Sequence, residues 1–456
     1  MIKNKKIKIA FIKYNGLSLG GTEKQLIRLA ATLDKNIFDV DYYWSYPGID
    51  LFGNNKTMPN PTPIIQKRYL EDNGVKTIEF KVEARDISTP THKWIGTNFW
   101  KIFDYKNYDI VQTAKSGHPE YPFTHIPKPI IEWNIFGGVD FSKNIYKTVC
   151  ISKWIYDIWI SNGGNSKKGE IIYPGIPKST NPDAYQKKLL RKDEITLGFH
   201  QRKSDNIFSP IPLKVFSNIK NKVERKNRKI RFIILGGSDL YRKQAKKLNL
   251  LNDITFLNPT ARWSEICNFL SSLDIYCHGR KDGECHGTAI QEAMLHGLPI
   301  VSHKALMNGH IEIIKDCGKV CENEEDYEEY LTRLILDDKL RLELGHKARE
   351  LATEKYLIDS TKNKFEELYT KVLGDFTGVK KCSQTIPQNG YKNPNIFILI
   401  FYRMRYCFLN PREAPFIIKK TFIAFSVKFN IFFKKILKRD IIDCFKARLG
   451  QIKKYH

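Results

Sequence analysis

Between Ile7 and Trp44 an apolar run, Ile7 to Lys13, is followed by a turn at Asn15 to Gly21. Next come Leu26, Leu29, Ala30 and Leu33 at helical spacing within Thr22 to Leu33, and then a second apolar run, Phe38 to Trp44. Parallel strands need a crossover connection, usually a helix, and this succession supplies one. The chain therefore opens as a βαβ unit with a parallel sheet. Further strands are expected at Thr77 to Phe80, Asp109 to Gln112, Ile130 to Trp133 and Thr148 to Ile151. The first domain, residues 1–182, reads as doubly wound α/β.

Tyr173 to Asp183 concentrates Pro, Gly and Asn and marks an interdomain connection. Beyond it, runs at Ile195 to Phe199, Arg231 to Leu235, Ile254 to Leu257, Leu273 to Cys277 and Pro299 to Ser302 alternate with helical stretches. These define a second α/β domain, residues 183–374, whose last part, Glu328 to Leu373, is charged and helical. Two such domains would face one another across a cleft, where sheets of this kind bind ligands.

The remaining segment, 375–456, differs in composition. Residues 376–456 hold 17 Lys or Arg against 3 Asp or Glu, over half of the net charge of +26 that the 456-residue chain carries. Ile418, Phe422, Phe425, Phe429, Phe432 and Ile436 recur at helical intervals among lysines, a basic aromatic pattern suited to an anionic membrane surface. Packing of the same aromatics onto the enzyme body is the alternative. Nucleic acid is not expected as a partner, because no reading motif accompanies the charge. With 42% hydrophobic residues the chain is too rich in core material for general disorder. No run of 18 apolar residues predicts a spanning helix, the N-terminus reads as a strand and not a signal peptide, and the nine cysteines form no Cys-x-x-Cys pair. A cytoplasmic location follows as the expectation, peripheral on the inner face of a membrane if the tail binds lipid.

The most specific chemical signal is Glu284-Cys-His-Gly-Thr-Ala-Ile-Gln-Glu292. Gly287 marks the passage from loop to helix, so Glu284 precedes the helix and Glu292 lies about one turn within it. Free amides of Gly287, Thr288 and Ala289 at the helix start suit a phosphate, and Glu292 can accept hydrogen bonds from a ribose diol.

With Asp274-Ile-Tyr-Cys-His278 before it and Ala293-Met-x-x-Gly297-x-Pro299-Ile-Val after it, this segment resembles the signature of family 4 retaining glycosyltransferases of the GT-B fold. Gly20-Gly21-Thr22-Glu23 resembles the first βα turn of that family, and Tyr108-Asp-Ile-Val111 and Cys150-Ile-Ser152 resemble its middle. The resemblance spans roughly residues 5–373. It implies two Rossmann-like domains, the first on the acceptor side and the second binding a nucleoside diphosphate sugar. It also implies that Glu292 binds the ribose and Glu284 lies against the donor sugar. Gly287, Thr288 and Ala289 would contact pyrophosphate and sugar, while Gly20 and Gly21 would close over the donor from the other domain.

The chain departs from the family at two places. Phe199 follows Gly198 where an arginine is usual, so Arg202, with Lys203 second, becomes the expected phosphate cation, the guanidinium being able to grip two oxygens. Where many members place a histidine after a first-domain strand, Asn134 stands here, and His118 is the candidate substitute.

Other motifs carry less. Asp39-Val-Asp41 spells a metal-binding pattern but falls on the second strand. Cys277-His278 and Cys285-His286 contain zinc ligand types without a further pair at finger spacing. Gly16-Leu-Ser18-Leu-Gly20 spells a hydrolase nucleophile pattern but follows the first strand, leaving no earlier loop for an oxyanion amide. No metal and no cofactor are expected. The expected activity is metal-independent, retaining transfer of a hexosyl group from a nucleoside diphosphate sugar to a hydroxyl of a glycan or lipid-linked acceptor, as in polysaccharide biosynthesis. A sugar-nucleotide epimerase of the same fold and a non-enzymatic basic scaffold are the alternatives.

Overall fold

The computed structural model describes residues 6–45 except 19, 62–82, 94, 97–181 except 118 and 121, and 194–376. The first domain holds β1 (Ile7–Lys13), β2 (Phe38–Trp44), β3 (Lys76–Glu79), β4 (Ile110–Lys115), β5 (Ile130–Asn134), β6 (Ile145–Cys150) and β7 (Gly169–Ile171). They form one parallel sheet in the order β3-β2-β1-β4-β5-β6-β7. β1 is apolar along most of its length because both of its faces are covered. Ile9 and Phe11 join the core with Leu26 and Leu29 of the helix Gly21–Thr32, while Ala10 and Ile12 join Trp94, Phe99 and Phe123 on the other side.

The second domain repeats this plan with β8 (Glu194–Gln201), β9 (Lys229–Gly236), β10 (Ile254–Leu257), β11 (Ile275–Cys277), β12 (Gly283–Glu284), β13 (Ile300–His303), β14 (Met307–Asn308) and β15 (Gly318–Cys321). Six of them form a parallel sheet in the order β10-β9-β8-β11-β13-β15, and β12 pairs with β14 beside it. Both sheets reverse strand order next to their first strand, between β1 and β4 and between β8 and β11. That switch point opens a crevice at the carboxyl ends of the strands. The fold class expected from the sequence, two doubly wound α/β domains, is the one observed. β7 and β15 were not anticipated: one has three half-buried residues, and Gly-Lys-Val-Cys of the other offers no apolar run.

The chain crosses between the domains twice, side by side. Ile176 donates its backbone N–H to Tyr356 O at 2.8 Å, and Ile358 donates to Ile176 O at 2.8 Å. After the second crossing the helix Ile358–Asp375 packs on the first domain, although most of it falls in the span 183–374 expected of the second. Phe365, Leu368, Tyr369 and Val372 enter the first domain's core, and the Tyr369 hydroxyl donates to Gln112 Oε1 at 3.0 Å. No helix among the described residues is long and apolar enough to cross a membrane. The basic aromatic pattern of 418–436 lies outside the described residues.

Candidate active site

β11 ends at Cys277, and the chain then runs through His278, Gly279 and Arg280 to the short pair of β12 with β14, which carries Glu284. Gly287 follows with φ of +112°, a left-handed conformation that a side chain would strain, and turns the loop into the helix Thr288–Leu295. No side chain caps that helix start, and Thr288 and Ala289 are only half-buried. The structure thus brings Glu284, Gly287, Thr288, Ala289 and Glu292 to one edge of the second sheet.

Glu284 is held from one side. Its Oε1 accepts from Arg280 Nη1 at 3.0 Å and lies 3.5 Å from His278 Nε2. Burial alone would raise the pKa of this carboxyl, but the Arg280 guanidinium and then His278 outweigh it and hold the group down to about 2. His278 is itself fixed, with Nδ1 2.7 Å from Ser302 Oγ. Arg280 also grips Asp282, through Nε at 3.0 Å and Nη2 at 2.8 Å.

Glu292 is held from two sides. His200 Nε2, near the end of β8, lies 2.8 Å from its Oε2, and Arg28 Nη2, from the first domain's helix Gly21–Thr32, donates to its Oε1 at 2.8 Å. The Glu292 side chain is 3% exposed. Burial works to raise its pKa, yet the hydrogen bond from His200 and the charges of Arg28 and Lys24 keep it well below the usual carboxylate range. A second link between the domains ends on the same segment: Ser152 Oγ donates to Cys285 O at 2.8 Å.

The other expected residues fall at different places. Gly20 immediately precedes the helix Gly21–Thr32, and a Cβ on it would lie 2.0 Å from the Glu23 carboxylate, whereas Gly21 has open space. Phe199 is fully buried in the core, so no cation follows Gly198. Arg202 and Lys203 are exposed on the loop after β8, Lys203 pairing with Asp239 at 2.9 Å. His118 lies outside the described residues. Asn134 ends β5 fully buried, with its amide committed to the Gly137 N–H and to Gly138 O, both at 2.8 Å, so it shapes the next turn.

The discounted motifs are structural where they are described. Asp41 accepts the Tyr108 hydroxyl at 2.5 Å, Cys285 Sγ lies 3.3 Å from Met307 Sδ, and no three metal-ligating side chains converge among the described residues. Sequence reasoning missed Arg280, His278, His200 and Arg28. Arg280, four residues before Glu284, was the most findable, whereas Arg28 is 264 residues from its partner and carried no local signal.

Two doubly wound domains, joined by a double crossing and meeting over the strand ends of both sheets, define the GT-B architecture. Residues 187–351 match the family model described as glycosyl transferases group 1, and with this domain in that architecture the chain is a glycosyltransferase. Its fold is similar to that of HepE from Anabaena in complex with UDP and glucose, with a TM-score of 0.58 at 17% identity, covering 80% of this chain and 99% of that one. A glycosyltransferase from Rickettsia africae gives a TM-score of 0.59 at 17% identity, covering 82% and 100%. Sucrose-phosphate synthase from Thermosynechococcus elongatus gives 0.61 at 14% identity, covering 81% and 100%. No curated protein matches the sequence.

Proposed function

We propose that this glycosyltransferase moves a hexosyl group from a nucleoside diphosphate sugar to a hydroxyl of a glycan or lipid-linked acceptor, with retention and without a metal. The observation that carries this reading is the convergence of Glu284 and Glu292 about the Gly287 turn, at the second sheet's carboxyl edge and against the first domain. Uridine diphosphate is the first nucleotide to test, since HepE, which shares the fold, binds UDP and UDP-glucose.

In this reading Glu292 accepts the ribose hydroxyls and Glu284, kept ionised by Arg280, lies against the donor sugar. The transition state of glycosyl transfer is oxocarbenium-like, and the leaving diphosphate gains charge. Arg202, assisted by Lys203, and the amides of Gly287, Thr288 and Ala289 stabilise that charge. Gly20 and Gly21 approach the donor from the first domain, and His118 is the candidate to act on the sugar. The leaving phosphate takes the acceptor proton, so no protein nucleophile is invoked. The basic segment 375–456 holds the enzyme on the inner face of a membrane; co-sedimentation of the full chain and of residues 1–390 with anionic liposomes tests this.

Glu292→Ala should weaken UDP binding by about 1.5 to 3 kcal/mol, the range for hydrogen bonds to a charged group. An unchanged dissociation constant removes the ribose role. Turnover should survive excess EDTA, and product formed from donor alone, without acceptor, would point instead to an epimerase.

A further inference from the structure

Both oxygens of the Glu292 carboxylate are already engaged, and their donors come from different bodies. His200 lies on β8, in the same domain as Glu292, and moves with it. Arg28 reaches across from the first domain and is itself held in place. Its Nη1 lies 3.4 Å from Gly175 O in the interdomain connection, and its guanidinium carbon sits 5.5 Å from the Trp263 ring centre. Arg28 and Glu292 have side chains 9% and 3% exposed, so the pair is sealed from solvent. A buried pair of this kind is costly to break from one side, because the partner left behind keeps an uncompensated charge.

A ribose diol that uses the Glu292 carboxylate must take the place of one of these donors. His200 is tied to its own domain, with Nδ1 3.3 Å from the Tyr276 hydroxyl, whereas Arg28 leaves whenever the first domain's helix shifts from the second domain. We propose that Arg28 is an affinity-setting residue of the donor site: it caps the Glu292 carboxylate when the domains are closed and is displaced by the nucleotide ribose. Donor entry and domain separation are then one event, since the group that blocks the carboxylate belongs to the opposite domain.

The inference rests on the ribose reading of Glu292, and the experiment separates the two. Titration calorimetry with UDP, alongside ADP and GDP, is run on the full-length wild type, Arg28→Ala, Glu292→Ala and the double variant. Arg28→Met joins them to retain the apolar stem beside Trp263. Removal of a competitor should tighten UDP binding on the order of tenfold in both Arg28 variants, each tenfold being about 1.4 kcal/mol. The gain should vanish in the double variant, which no longer has the carboxylate. Unchanged or weaker binding in both Arg28 variants overturns the cap. Weaker UDP binding in the double variant than in Arg28→Ala upholds the ribose reading whether or not the cap holds, and equal binding in the two overturns that reading and the displacement of Arg28 with it. The cap also has a readout without nucleotide: hydrogen exchange of segments 21–32 and 287–295 should rise in both Arg28 variants, and exchange identical to wild type overturns it whatever the nucleotide results.

Discussion

The two sheets share one strand order, yet their carboxyl edges handle charge in opposite ways. In the first domain Lys115, the last residue of β4, lies 2.6 Å from Asp140 Oδ2 and 3.6 Å from Glu132 Oε2, and none of the three side chains is more than 3% exposed. That cluster is completed within its own domain. In the second domain the corresponding edge leaves Glu292 dependent on Arg28 of the facing domain. One edge is locked by its own charges and serves as a scaffold. The other pairs Glu284 within its own domain but draws one partner of Glu292 across the domain boundary, at the edge where we propose that the donor binds.

The strongest way to break this comparison is to unpair the first edge. Lys115→Met leaves the Asp140 carboxylate buried without its cation and should cost about 3 to 5 kcal/mol, read from the denaturant midpoint. A loss below about 1 kcal/mol would show that the edge is not charge-locked.

The same cluster carries a pH signature. Burial pushes the Glu132 carboxyl up from 4.5 to about 8 against the opposing pull of Lys115. The folded protein therefore holds a proton that the unfolded chain has lost, and the stability contributed by this group falls as pH rises through that window. The slope is at most about 1.4 kcal/mol per pH unit. Glu132→Gln, which keeps the neutral shape, should flatten the stability profile between pH 5 and 8; a profile parallel to wild type would assign the slope elsewhere.

The second edge is tested by changes that leave its charges in place. Gly287→Ala forces a side chain into the left-handed turn at the helix start and should cost about 1 to 3 kcal/mol of stability. Weaker UDP binding is expected with it, because the amides of Thr288 and Ala289 are re-aimed. Smaller still is Ser152→Ala, which removes the bond to Cys285 O and the cap on the Ile155 N–H. About 0.5 to 2 kcal/mol should be lost, as for other serine caps. If the loss is unaltered in an Ile155→Pro background, where the capped N–H is gone, the interdomain bond accounts for it.

Local chemistry along the chain determined the alternation of apolar runs and amphipathic stretches, the parallel sheets that such alternation demands, and the glycine turn between Glu284 and Glu292. Each depends on residues within a few turns of one another, where periodicity and backbone preference act directly. The resemblance carried by that turn was enough to point to the transferase class. Tertiary structure alone decided which charges meet. The expected cation Arg202 stands exposed on its loop, while Arg280 grips Glu284 and Arg28 reaches Glu292 from the other domain. It also decided that the helix Ile358–Asp375 completes the first domain's core, because an amphipathic stripe specifies that a face is buried and not what buries it. Partners in an ion pair have no fixed spacing along the chain; they are chosen by which strand ends the two folded domains bring together.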